Sequence, residues 1–374
     1  SERAPASCPE TGFCDEKTSG PPRSFPNTPL RTNGRENPSC RAGNFIAGYH
    51  KMTQKIKIDS PERFQILALD GGGIKGLFSA ALLANIEDDL GIRVTDYFDL
   101  ISGTSTGGII AVGLGLGIRP REIVEFYINE GRKIFPRWFG AKSLQRWLLR
   151  KYSAEPLETA LRNCFKDRLF GDSEKRLVIP AYSLGEDDIY LFRTPHIENL
   201  RRDFKVPAWK VAKATSSAPT FFPCTRDVDN LRLIDGGVWA NNPTLVAVVE
   251  ACGPLSIPLS HIHVLSIGTS NAVNHRHRRL NSGGILSWGR DGAAVDVITR
   301  GQSIGVNNQV MLLLGKNHVT RLDPKVAANE FSLDGFQKAD DLIGKAAHVS
   351  RHFVPEFQAT FMQHLAPEYL PFYR

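Results

Sequence analysis

Apolar and polar positions fall into a regular alternation from Phe64 onward. Phe64-Gln65-Ile66-Leu67-Ala68-Leu69 is a short apolar run closed by glycines, the pattern of a buried strand. Leu77, Ala80, Leu83, Ile86 and Leu90 then recur every three or four residues and predict a helix that Gly91 stops. Residues 97–101 read as a second strand, followed by a helix from Thr106. Residues 120–135 predict an amphipathic helix with Ile123, Phe126, Tyr127 and Ile134 on one side. Residues 177–182 and 263–267 read as later strands. Strands alternating with helices predict an α/β fold: a mostly parallel central sheet covered by helices on both faces, in three layers.

The first 51 residues break this pattern. They hold seven of the 23 prolines, one leucine, one isoleucine and no valine. Such a segment buries too little apolar surface to offset its ordering entropy, so disorder is expected over residues 1–60. Two origins compete: a non-native extension upstream of a start at Met52, or a genuine flexible arm. No signal peptide is expected. The expected organisation is then a core over 61–270 and a C-terminal lobe over 271–374 packed on it. No stretch approaches the roughly 20 apolar residues of a membrane span. Six cysteines without a zinc-type spacing read as reduced cytosolic thiols.

The formal net charge is +7, which favours an anionic partner, membrane surface or nucleic acid, without choosing between them. The sharpest cluster is His275-Arg276-His277-Arg278-Arg279, readable as a solvated loop. Trp138, Phe139, Trp147 and Leu148 are interleaved with Arg137, Lys142, Arg146 and Arg150, which suits a lid or a membrane-facing surface as well as a helix packed on the core.

Two loops carry candidate chemistry. In Asp70-Gly71-Gly72-Gly73-Ile74-Lys75-Gly76, between a strand and a helix, glycines let backbone N–H groups point at an anion. A dinucleotide fingerprint matches as Gly71-x-Gly73-x-x-Gly76, but the acidic residue it wants, about 20 residues on, is misplaced: Asp96 and Asp99 lie at or inside the next strand. A phosphate-binding loop of the Walker type fails, since Lys75 precedes the last glycine and no Ser or Thr follows. An oxyanion hole is the third reading. Gly103-Thr104-Ser105-Thr106-Gly107 is G-x-S-x-G after a strand and before a helix, the setting of a nucleophile elbow. Ser105 is the candidate nucleophile. Its base is either Asp235 acting directly, in Leu233-Ile234-Asp235-Gly236-Gly237, or a triad of Asp235 with His261 or His263. Burial would raise the Asp235 pKa toward the range useful for a base.

These three motifs, in this order, resemble the patatin-like phospholipase family. So do Ala214-Thr215-Ser216-Ser217-Ala218-Pro219, Ala240-Asn241-Asn242-Pro243 and the Asp96–Ile101 stretch. The resemblance covers roughly residues 64 to 270. It implies a Ser105–Asp235 dyad, an oxyanion hole from the Gly72 and Gly73 amides, and hydrolysis of glycerolipid acyl esters without metal, cofactor or histidine. It demotes the histidine triad. Lys75 stands where the family usually carries arginine. Membrane phospholipid is the implied substrate, at a peripheral membrane location when active.

The Asn241-Asn242-Pro243 stretch with the extended C-terminal segment resembles bacterial antiphage effectors of this family, which a cyclic oligonucleotide switches on. A constitutive lipase or carboxylesterase is the plainer option, and a nucleotide-binding module without hydrolase activity is the third. No DNA or RNA duplex is expected as partner, and a homo-oligomer is compatible with the sequence.

Overall fold

The computed structural model describes residues 62–136, 152–269, 280–284, 288, 293–326, 331 and 333–374. All belong to one unit, Ile58–Arg374. The N-terminal extension, the aromatic-basic stretch 137–151 and the cluster at 275–279 lie outside the described residues, as do the expectations attached to them.

Strand β1 (Phe64–Leu69) is buried at every position and leads into helix α1 (Gly76–Leu90). Gly91 ends α1 at φ 64, a left-handed conformation that a glycine adopts at little cost. A short 3-10 turn, Val94–Tyr97, precedes β2 (Leu100–Gly103), α2 (Thr106–Gly115) and α3 (Pro120–Ile134). After α4 (Glu155–Phe165) come β3 (Arg176–Ser183), β4 (Asp188–Arg193) and α5 (Ala208–Thr215). Then follow β5 (Leu233–Asp235), α6 (Gly237–Ala240), α7 (Thr244–Cys252) and β6 (Ile262–Ile267). The last elements are α8 (Ala293–Leu314), β7 (Val319–Leu322) and α9 (Ala339–Thr360).

Among the described residues the sheet order is β4-β3-β2-β1-β6-β7, with β5 also paired to β3. β3, β2, β1, β6 and β7 run parallel, and β4 and β5 are antiparallel to β3. The expected mostly parallel sheet with helices on both faces is therefore the observed fold. The layers follow from the two-residue period of a strand. Phe64 and Ile66 face Ala247, Val248 and Ala251 of α7 and Val306 and Val310 of α8. Leu67 and Leu69 face the other layer, with α1, α2 and α9.

β2 starts three residues later than its apolar run suggested. Asp99 holds the chain at the foot of β1, its carboxylate accepting the Gln65 N–H at 2.7 Å. Tyr97 and Phe98 turn their rings to Phe357 of α9 and to Phe361 just past its end, at 5.9 and 5.7 Å. The residues beyond 270 contribute to the same sheet and core: β7 lengthens the sheet beside β6, and α9 packs on α1.

One detail of the sheet positions the site. β3 has β4 along one edge. Its other edge is shared, β2 pairing with Arg176–Val178 and β5 with Ala181–Ser183. The ends of β2 and β5 therefore converge on the middle of β3.

Candidate active site

Ser105 sits on the turn between β2 and α2 at φ 56 and ψ −124. That conformation is unfavourable for a residue with a Cβ and is held by its surroundings. The Ser105 N–H donates to Thr215 Oγ1 at 3.0 Å, and that hydroxyl donates to the Pro180 carbonyl at 2.6 Å. Thr104 Oγ1 donates to the Ala240 carbonyl at 2.6 Å. The flanking glycines are required by space. A Cβ on Gly107 would stand 2.2 Å from the Leu69 carbonyl oxygen, and one on Gly103 would stand 2.1 Å from that of Gly107. Thr104 and Thr106 are buried while Ser105 is half-exposed, so the turn lifts this one side chain out.

Asp235 ends β5 directly opposite. Its side chain accepts the Gly237 N–H at 2.7 Å and its own N–H donates to the Ser217 carbonyl at 3.1 Å. Burial pushes its carboxyl up to about 6; hydrogen bonds from the Ser105 hydroxyl and the Gly237 N–H pull the other way. Gly236 is packed on the Pro180 carbonyl, where a Cβ would come within 2.4 Å.

The glycine loop lies beside them, because β1 neighbours β2 in parallel and both loops leave at the carboxyl edge of the sheet. The Gly71 N–H donates to the Asn241 carbonyl at 2.9 Å, and a Cβ there would crowd the Ser105 Cβ at 3.2 Å. Thr269 Oγ1 donates to the Gly71 carbonyl at 3.0 Å. Among the described residues the N–H groups of Gly72 and Gly73 donate to no protein acceptor. Gly73 has φ 59, and the Leu333 carbonyl, which accepts the Ile74 N–H at 2.8 Å, closes over it. Gly76 is packed on Thr106, so the two loops interlock. Burial lowers the half-buried Lys75 ammonium, against the opposing pull of Asp296, Asp323 and Asp70.

The histidines of the triad alternative are elsewhere. His261 and His263 lie at the start of β6, in register with the foot of β1, while the glycine loop follows its far end. His263 stacks on His318 with ring centroids 4.3 Å apart, and burial together with Arg63 lowers it to about 4.

Sequence reasoning missed the support behind the glycine loop. Asp70, fully buried, is gripped at two points by Arg321 of β7, at 2.8 and 2.6 Å. Arg321 also donates to Ser266 Oγ at 2.7 Å, and Asp70 raises its already high pKa further. Ser303 of α8 accepts from Asn241 Nδ2 at 3.0 Å. Nothing local in the sequence marks Arg321 or Ser303, since each meets its partner across more than 60 residues. Thr215 lies within the quoted Ala214–Pro219 motif, but its role as acceptor for the nucleophile's N–H needs the fold.

The region that carries these loops matches known proteins. The model of the patatin-like phospholipase family matches residues 67–248, which contain both glycine loops, Ser105 and Asp235. A cGAMP-activated phospholipase of Pseudomonas aeruginosa is 32% identical over 276 residues, 71% of this chain and 80% of that protein. This chain belongs to the patatin-like phospholipase family. A cGAMP-activated phospholipase of Escherichia coli is 35% identical over 58% of this chain and 65% of its own. Patatin-like protein 4 of Arabidopsis thaliana is 33% identical over 57% of this chain and 61% of its own. Among solved structures, VipD of Legionella pneumophila aligns with a TM-score of 0.41 and 10% identity, over 79% of this chain and 67% of that one. The patatin-like region of this chain thus runs from β1 into α7 and leaves β6, β7, α8 and α9 outside the family match.

Proposed function

We propose that this protein is a serine lipid acyl hydrolase of the phospholipase A type, working through a Ser105–Asp235 dyad. The observation that carries the reading is the pairing of a serine hydroxyl, on a turn at φ 56, with a buried carboxylate raised to about 6. A carboxylate in that range is ionised at neutral pH yet basic enough to take a proton in a transition state. Asp235 accepts the Ser105 proton as Oγ attacks the ester carbonyl carbon. The N–H groups of Gly72 and Gly73 hold the oxyanion, where each such donor is worth about 2.7–4 kcal/mol. The ester C–O bond then breaks, and the proton passes from Asp235 to the leaving lysolipid alcohol. Water, deprotonated by Asp235, cleaves the acyl-enzyme, releases the fatty acid and restores Ser105.

The proposed substrate is the acyl ester of a membrane glycerophospholipid, met at the membrane surface. No described helix is long and apolar enough to cross a membrane. The names of the Pseudomonas and Escherichia relatives support activation by a cyclic dinucleotide. A part in antiphage defence is proposed on the resemblance of the Asn241-Asn242-Pro243 stretch and the C-terminal segment to effectors of that kind.

The test is fatty-acid release from mixed phospholipid vesicles, with and without a panel of cyclic di- and trinucleotides, for wild type and Ser105→Ala. Release that requires a nucleotide and falls by about 10⁵–10⁶-fold in the variant is the expected result. Release without nucleotide would make the enzyme constitutive. Release that survives in Ser105→Ala would overturn the dyad.

A further inference from the structure

A pocket of about 410 Å³, with none of the Ser105 site residues in its lining, lies at the first turn of α5. Its size is that of a small-molecule site. Arg201, Arg202, Lys205 and Lys210 line it, with Asp227 and Asp229. Four cations in one depression repel one another unless something holds them.

Aromatic rings do much of the holding. Arg201 lies over Tyr373 at 5.2 Å, Arg202 over Tyr190 at 4.8 Å, Lys205 over Phe204 at 5.3 Å and Lys210 over Trp209 at 5.6 Å. A ring face attracts a cation without consuming its N–H donors, so it fixes the group and leaves those donors for a ligand. Asp227 and Asp229 of the lining offset part of this charge, and the neighbouring carboxylates are shared with other donors. Asp227 is taken by Lys213 at 2.6 Å and by Thr225. Asp203, 3.3 Å from Arg202, also accepts from Tyr190 and from the Arg193 N–H. Glu198 meets Arg201 at 3.4 Å with both side chains well exposed, a geometry worth little in water. α5 starts at the pocket wall with no side-chain cap and no acidic residue in its first turn, so its positive end adds to the field.

We propose that this pocket is a binding site for a phosphate-bearing anion. Forked guanidinium donors and point-charge ammonium groups together suit phosphate oxygens. The same chemistry is offered by the phosphodiester of a soluble cyclic dinucleotide and by the headgroup of an anionic phospholipid. The pocket shares no residue with the hydrolase site, yet α5 joins the two: Lys210 lines the pocket, and Thr215, the last residue of the helix, accepts the Ser105 N–H. The binding proposal stands independently of the hydrolase chemistry.

The experiment measures binding to the full chain by calorimetry with cGAMP. In parallel, co-sedimentation uses phosphatidylcholine vesicles with and without phosphatidylglycerol. Both arms are run on wild type, on Arg202→Gln/Lys210→Gln and on Lys205→Gln, whose side chain is exposed; circular dichroism melting checks that each folds. Repeating them on Ser105→Ala separates this proposal from the dyad. Saturable cGAMP binding that weakens about tenfold or more in the charge variants assigns a soluble nucleotide. Vesicle binding that requires phosphatidylglycerol and weakens likewise, without cGAMP binding, assigns a lipid headgroup. Binding that is unchanged in folded charge variants, or no binding of either probe to wild type, overturns the proposal.

Discussion

Asp235 has 4% of its surface exposed, and burial is the largest cause of its raised pKa. The sign of two effects follows. As the base of the proposed dyad it must be ionised, so fatty-acid release should rise with pH through about 6 and level off above it. For stability the direction is reversed. A carboxyl raised in the folded state favours folding when protonated; that contribution is complete below the unfolded value of 3.8 and is lost as pH rises through about 6. Asp235→Asn should therefore abolish release at every pH and yet resist urea better than wild type at pH 8, by up to about 3 kcal/mol. Urea unfolding at pH 8 and pH 4 checks this: the gain should shrink at the lower pH. A loss of stability at pH 8 would mean that the Gly237 hydrogen bond, not burial, dominates the site.

At the scale of elements, the glycine loop depends on a strand that the sequence did not predict. Arg321 reaches from β7 across β6 to Asp70, the first residue of the loop, and both side chains are almost fully buried. Removing one partner of such a pair leaves an uncompensated buried charge, which costs about 3–5 kcal/mol. Arg321→Gln should lower stability by that amount in urea unfolding. The double variant Arg321→Gln/Asp70→Asn should recover much of it, because the charge left behind is gone. Additive losses in the double variant would show that the pair is not the stabilising unit. The same scale explains β2. Its apolar run suggested a strand over 97–101, but Tyr97 and Phe98 are apolar because they meet α9, not because they join the ladder. Periodicity reports that a residue is buried; it does not report against what.

Across the whole molecule, α9 and the residues that follow it are tied to the first strand. The Gln65 side chain donates to the Tyr97 carbonyl at 2.6 Å and to the Phe361 carbonyl at 2.9 Å, and His364 meets Asp99 at 2.7 Å. Phe357 is fully buried among Tyr97, Phe98, Phe353 and Phe361. Phe357→Ala should cost about 3–5 kcal/mol, read as a lowered urea midpoint. A change below about 1 kcal/mol would mean that α9 is an appendage rather than part of the core. The sequence by itself determined the alternation of strands and helices and the two glycine loops, and it singled out Ser105 and Asp235 as the candidate residues. Those signals are local: apolar period, glycine where a Cβ would collide, and a short motif between a strand and a helix. Tertiary structure alone decided that Ser105 and Asp235 meet, because β2 and β5 divide one edge of β3 between them. It also decided that Thr215, Ser303 and Arg321 stand behind the loops, and that His261 and His263 lie at the other end of the sheet. Each of those facts depends on strand order and register, which join residues far apart in the chain and leave no local trace.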